Sequence, residues 1–83
     1  MIRESVIDHL QSCGCIELRK DSKGYSVVRN VINGKMSGVP ANDPLRAATV
    51  CRICKTLDVA IPEEAKDAEY IVNLAHENHN NNH

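Results

Sequence analysis

The stretch "CIELRKDSKGYSVVRNVINGKMSGVP", residues 15–40, decides the fold. It breaks into three short runs separated by two turn signals. "CIELRK" is compatible with a strand, with Ile16 and Leu18 alternating against Glu17 and Arg19. "DSKG" is a cluster of turn residues. "YSVVRNVI" is the strongest strand signal in the chain, because its β-branched side chains suit a pleated, half-buried surface. Asn33-Gly34 is the pair favoured in a type I′ hairpin, where both central residues take positive φ. A last short strand, "KMSGV", ends at Pro40.

The flanks are helical. Upstream, over residues 2–13, Ile2, Val6, Leu10 and Cys13 recur at three- and four-residue steps with Ile7 beside them. Arg3, Glu4, Asp8 and Gln11 fall on the other side, and Gly14 supplies the stop. Downstream, "NDPLRAATVCRICKTLDV" predicts a second helix with Asp43 as N-cap and Pro44 at the first helical position. Its apolar stripe is Ala47, Val50, Ile53, Cys54 and Leu57, with Arg46, Arg52 and Lys55 outside it. Pro62 opens a further acidic helix, with Glu63 and Glu64 in its first turn and Ala68, Ile71, Val72 and Ala75 on one side. The simplest way to bury these stripes is an α+β fold, a three-stranded antiparallel sheet with helices packed on one face and the other face open. Residues 1–61 are read as one α-β-β-β-α domain, 62–77 as an added C-terminal helix, and 78–83 as a disordered Asn/His tail.

With 83 residues, no Phe or Trp and only two tyrosines, the core must be thin and aliphatic. No apolar run approaches the roughly 20 residues needed to cross a bilayer, and the charged N-terminus does not suit a signal peptide, so a cytoplasmic protein with reduced cysteines is expected. The net charge of -1 conceals an asymmetry. Residues 1–58 carry nine Lys and Arg against six Asp and Glu, whereas residues 59–83 carry one against five. A mildly basic body is thus joined to an acidic end, which suits a polyanion-binding surface on the body.

Chemistry-bearing residues are few. "CGC" (13–15) and "CRIC" (51–54) have the look of two zinc half-sites, but the second lies within a helix pattern and Cys54 on its apolar stripe, so buried thiols are the expected state. His76, His79 and His83 belong to the tail, which leaves His9 as a helix-face histidine of structural role. No glycine-rich phosphate loop, Ser/His/Asp set or spaced carboxylate pair is present, so no metabolic activity, cofactor or metal is expected. What remains is the first hairpin, where Arg19, Lys20, Lys23 and Arg29 surround Tyr25. These four cations are candidate phosphate contacts.

Several local patterns together resemble the HicA toxin family over about residues 4–64. The first helix, "SVIDHLQSCG", ends in Gly14 followed by the core residue Cys15, and Leu18-Arg19 closes the first strand. Val39-Pro40 closes the third, and "AATVCRICKTLDVAIPEE" matches the last helix at Thr49, Ile53, Lys55, Glu63 and Glu64. The resemblance implies a double-stranded-RNA-binding-domain-like α-β-β-β-α fold, RNA binding, mRNA interferase activity and silencing by a HicB-like antitoxin. The second strand of the family begins Gly-Ser-His, and that histidine is catalytic. Here "SKGYSVV" puts Tyr25, or Ser26 under a one-residue shift, in its place. Cleavage would therefore need Tyr25, or His9, in a different role. Two other readings stand beside this one. The first is a protein–protein interaction module, such as a phage or host factor, that uses the open sheet face or oligomerises through the C-terminal helix. The second is a zinc-stabilised nucleic-acid binder.

Overall fold

The computed structural model describes residues 1–68. In chain order these form α1 (Arg3–Ser12), β1 (Cys15–Lys20), β2 (Ser26–Asn30), β3 (Met36–Val39), α2 (Ala47–Leu57) and a short 3-10 helix (Glu63–Ala65). The strands pair antiparallel in sequence order, which leaves β2 central and β1 and β3 as edges. Helix α1 packs on β1 and α2 on β3, both on the same sheet face. The helix expected over 62–77 begins here with the 3-10 turn. Its part beyond residue 68, and the tail at 78–83, lie outside the described residues.

The core is the aliphatic one that the composition demands. Val6 and Leu10 from α1 meet Cys15, Val28 and Val39 from the sheet, and Val50, Ile53, Cys54 and Leu57 from α2. Each fully buried side chain of the size of Leu57 contributes roughly 1.5–3 kcal/mol by leaving water. Cys51 is buried as well, although it lies outside the predicted stripe. The segment after α2 folds back over that side, and the Cys51 thiol donates to the Ala65 carbonyl at 3.0 Å. At the other helix, Ile2 is the N-cap and largely exposed, so the α1 stripe starts at Val6.

Three local expectations are corrected. Helix α2 starts at Ala47 with Arg46 as N-cap, and the Asp43-Pro44 bond is cis. Leu45 is drawn into the core, and its N–H and C=O pair with Met1 at 2.7 Å each, holding residues before Arg46 out of the helix. Asp43 still caps a helix, but it is α1: its carboxylate accepts the Arg3 backbone N–H at 3.1 Å. Strand β2 stops at Asn30, and Val31 and Ile32 enter the following loop. That loop is not a two-residue type I′ turn. It spans residues 31–34, with the Gly34 N–H donating to Asn30 O at 2.8 Å, and Gly34 alone takes a positive φ, of 78°. Asn30 overrides the local preference because its side chain is anchored elsewhere, its amide donating to Leu57 O at the end of α2.

Candidate nucleic-acid interface

The hairpin that carries the charged residues is closed by Asp21. Its backbone N–H donates to Tyr25 O at 2.9 Å, and its carboxylate accepts the N–H groups of Lys23 and Tyr25 at 2.9 and 3.0 Å. Gly24, with φ of 88°, completes a three-residue loop of type I turn plus bulge. The aspartate therefore sets the turn, and the cations around it stay in solvent.

Strand alternation then divides the four predicted contacts between two sides. Register places Cys15 opposite Asn30, Ile16 opposite Arg29, Arg19 opposite Val27 and Lys20 opposite Ser26. Asn30, Val28 and Ser26 face the helices, so Arg19 and Arg29 belong to the open face, and Lys20 points to the helical side. A bulge between Glu17 and Arg19 keeps Leu18 and Arg19 on the same side. Ile16 and Leu18 are thus on the open face, and Cys15 is the only buried residue of β1. With Val27 and Met36 they make an apolar floor flanked by two arginines.

Tyr25 lies on this floor, 44% exposed. Its ring tip rests on β3 at Gly38, where any Cβ would overlap the phenol. Glycine at 38 is what lets the ring lie down. The Tyr25 hydroxyl has no hydrogen-bond partner among the described residues, so no base is set to take its proton. A concavity of about 340 Å³ is lined by Arg19, Lys20, Asp21, Tyr25 and Val27.

On the helical side a second cleft of about 460 Å³ opens between α1, β1 and the turn, lined in part by Arg3, Glu17, Lys20, Lys23 and Asp43. Its floor carries a polar chain that sequence reasoning did not find. The buried Ser26 hydroxyl donates to Glu17 Oε2 at 2.7 Å and accepts from Arg3 Nη2 at 2.8 Å, while Arg3 Nε donates to Pro40 O at 2.8 Å. The available signal was Ser26 itself, a hydroxyl in register with the core-facing Val28 and hence in need of partners. Nothing in the sequence names Arg3 as that partner.

Arg19, Lys20, Lys23 and Arg29 share one property: none has a carboxylate within ion-pair distance among the described residues. Lys35, by contrast, reaches Asp58 at 3.8 Å.

The other candidate groups are structural. His9 donates from Nε2 to Ala60 O at 2.7 Å and lies 3.7 Å from Cys13 Sγ, pinning α1 to the segment after α2. It lies six residues, about 9 Å of helix rise, beyond Arg3 and away from the hairpin. Cys15, Cys51 and Cys54 are buried and Cys13 half-buried. Burial first, and then the neighbouring sulfurs of Cys13, Cys51 and Cys15, push the Cys54 thiol up to about 11. Burial and then Cys13 raise the Cys15 thiol. Cys15 and Cys54 are neutral packing groups at physiological pH. Among the described residues, no three His, Cys, Asp or Glu side chains converge to hold a metal ion. No helix among them is long and apolar enough to cross a membrane.

Compared with known proteins, the chain matches no family model, no curated protein and no solved structure.

Proposed function

We propose that this chain is a HicA-like RNA-binding protein that grips RNA through its first hairpin and the open sheet face. The observation that supports this is that Arg19, Lys20, Lys23 and Arg29, none with a carboxylate within ion-pair distance among the described residues, lie on the first hairpin and its strands, whose open face carries an aromatic ring laid on the sheet at Gly38. Unpaired cations at an exposed hairpin are available to phosphates, and an aromatic face stacks any base without needing sequence-specific hydrogen bonds. Cleavage is left out of the reading. General-base chemistry needs an acceptor in reach of the proton it takes, and the Tyr25 hydroxyl has none among the described residues. Tyr25 acts as a stacking platform.

The apolar part of the same face supports a second occupant. Ile16, Leu18 and Met36 are each roughly half exposed beside Arg19 and Arg29, a surface that suits a HicB-like antitoxin protein competing with RNA.

Fluorescence anisotropy with a labelled RNA tests the reading. Binding should weaken steeply with salt and be lost in an Arg19→Glu/Lys23→Glu variant whose thermal unfolding is unchanged. Salt-independent binding, or retention in that variant, contradicts it. Induced expression should leave cellular RNA intact in both wild type and Tyr25→Phe. RNA loss in the wild type alone would make Tyr25 catalytic.

A further inference from the structure

We infer that the nucleic acid taken by the hairpin is single-stranded and that it crosses the β1 edge, touching both sides of the sheet. This rests on the RNA-binding reading above and names its substrate class. The argument comes from where alternation puts the charges. Arg19, Arg29 and Tyr25 lie on the open face, whereas Lys20 and Lys23 line the cleft on the helical side. The two concavities meet at Lys20, which lines both. Between them lies β1, an edge strand with β2 as its only sheet neighbour among the described residues.

A duplex is stiff over the length of this domain and presses against one face only. It would reach either the arginine pair or the lysine pair. A single strand turns at every nucleotide and can pass round the edge. Its phosphates would meet Lys20 and Lys23 on one side and Arg19 and Arg29 on the other, with a base stacked on Tyr25. The acids of the cleft bound the path. Glu17 is tied to Ser26 and Asp43 to the Arg3 N–H, and with Glu4 they make the floor unfavourable for phosphate. The strand therefore keeps to the lysine rim.

The test uses the full chain with an oligouridylate about 12 nucleotides long, within the range one small binding module occupies, and an RNA duplex of the same length. The single strand should bind at least about tenfold tighter, a difference of about 1.4 kcal/mol. With four phosphate contacts, log K against log salt should have a slope of about -2.8, falling by about 1.4 in Arg19→Gln/Arg29→Gln and by the same amount in Lys20→Gln/Lys23→Gln. Equal or tighter duplex binding overturns the inference and leaves the RNA reading standing. So does a slope that moves for only one of the two pairs, provided both variants unfold at the wild-type temperature. If neither RNA binds at low salt, the RNA-binding reading itself falls, and this inference with it.

Discussion

The turn at 21–24 and the loop at 31–34 each close a β-hairpin, and each ends on a glycine at positive φ. Their surroundings differ completely. The first turn satisfies its backbone from within, through Asp21, and among the described residues no side-chain hydrogen bond ties residues 21–24 to the helices. The second is fastened on every side. Val31 N–H donates to Gly14 O at 3.1 Å, and the side-chain amides of Asn30 and Asn33 both donate to Leu57 O, at 2.9 and 3.0 Å. One carbonyl at the end of α2, otherwise an orphan, accepts both asparagine amides. The second hairpin is a structural joint. The cations at the first, Arg19, Lys20 and Lys23, have no carboxylate within ion-pair distance among the described residues, as the proposed RNA contact requires.

The sharpest way to break this contrast is at Asn30. Its amide serves Leu57, and its carbonyl oxygen accepts the Ile32 N–H at 2.9 Å, all in a buried position. Asn30→Ala removes both bonds and leaves a void, so a loss of about 2–3 kcal/mol is expected by chemical denaturation. A domain of this size should then melt about 10–20 °C lower. The matching change in the first hairpin, Arg19→Glu/Lys23→Glu, should alter stability by less than about 0.5 kcal/mol. If the two variants cost the same, the division into joint and free surface is wrong.

A smaller effect tests the ring on the sheet. Gly38→Ala adds a methyl where the Tyr25 phenol lies, so the ring must lift. The φ of Gly38 is not positive, so the backbone accepts alanine. RNA affinity should fall by about five- to tenfold in the wild-type background, the low end of the roughly 1–3 kcal/mol that base stacking contributes. In a Tyr25→Ala background the same methyl should change nothing, since the two act through one contact. Additive losses would detach Tyr25 from Gly38 and weaken the platform.

What the sequence disclosed and what it hid follow the same line. The three strands and two helices were legible because alternation and the three- to four-residue apolar step are local patterns. The second hairpin was misread as a type I′ turn at Asn33-Gly34, since the decisive partner, Leu57 O, is 24 residues from Asn33. Asp43 was misassigned for a similar reason: the N–H it caps belongs to Arg3, forty residues away. Tyr25 and the four cations of the candidate site are proposals that the sequence alone suggests. Their division between two faces could not be read there, because the bulge between Glu17 and Arg19 resets the alternation. The Arg3–Ser26–Glu17 chain was hidden because it joins three elements.

The smallest predicted effect concerns the far side of the joint. Asp58 closes α2 with φ of 58°, and its carboxylate meets Lys35 just past the second loop at 3.8 Å. Two terms oppose each other there. A left-handed residue other than glycine is strained, and glycine would relieve roughly 1 kcal/mol, less the entropy it adds to the unfolded chain. The pair with Lys35 is solvent-exposed, so its loss costs at most about 0.5 kcal/mol. Asp58→Gly should therefore stabilise the protein by about 0.3–0.5 kcal/mol, a rise of roughly 2–3 °C in melting temperature. Asp58→Asn, which drops the charge but tolerates the left-handed backbone, should be nearly neutral. A clear loss in both variants would mean that the ion pair, rather than the Asn30 and Asn33 bonds to Leu57, fastens the second hairpin to α2.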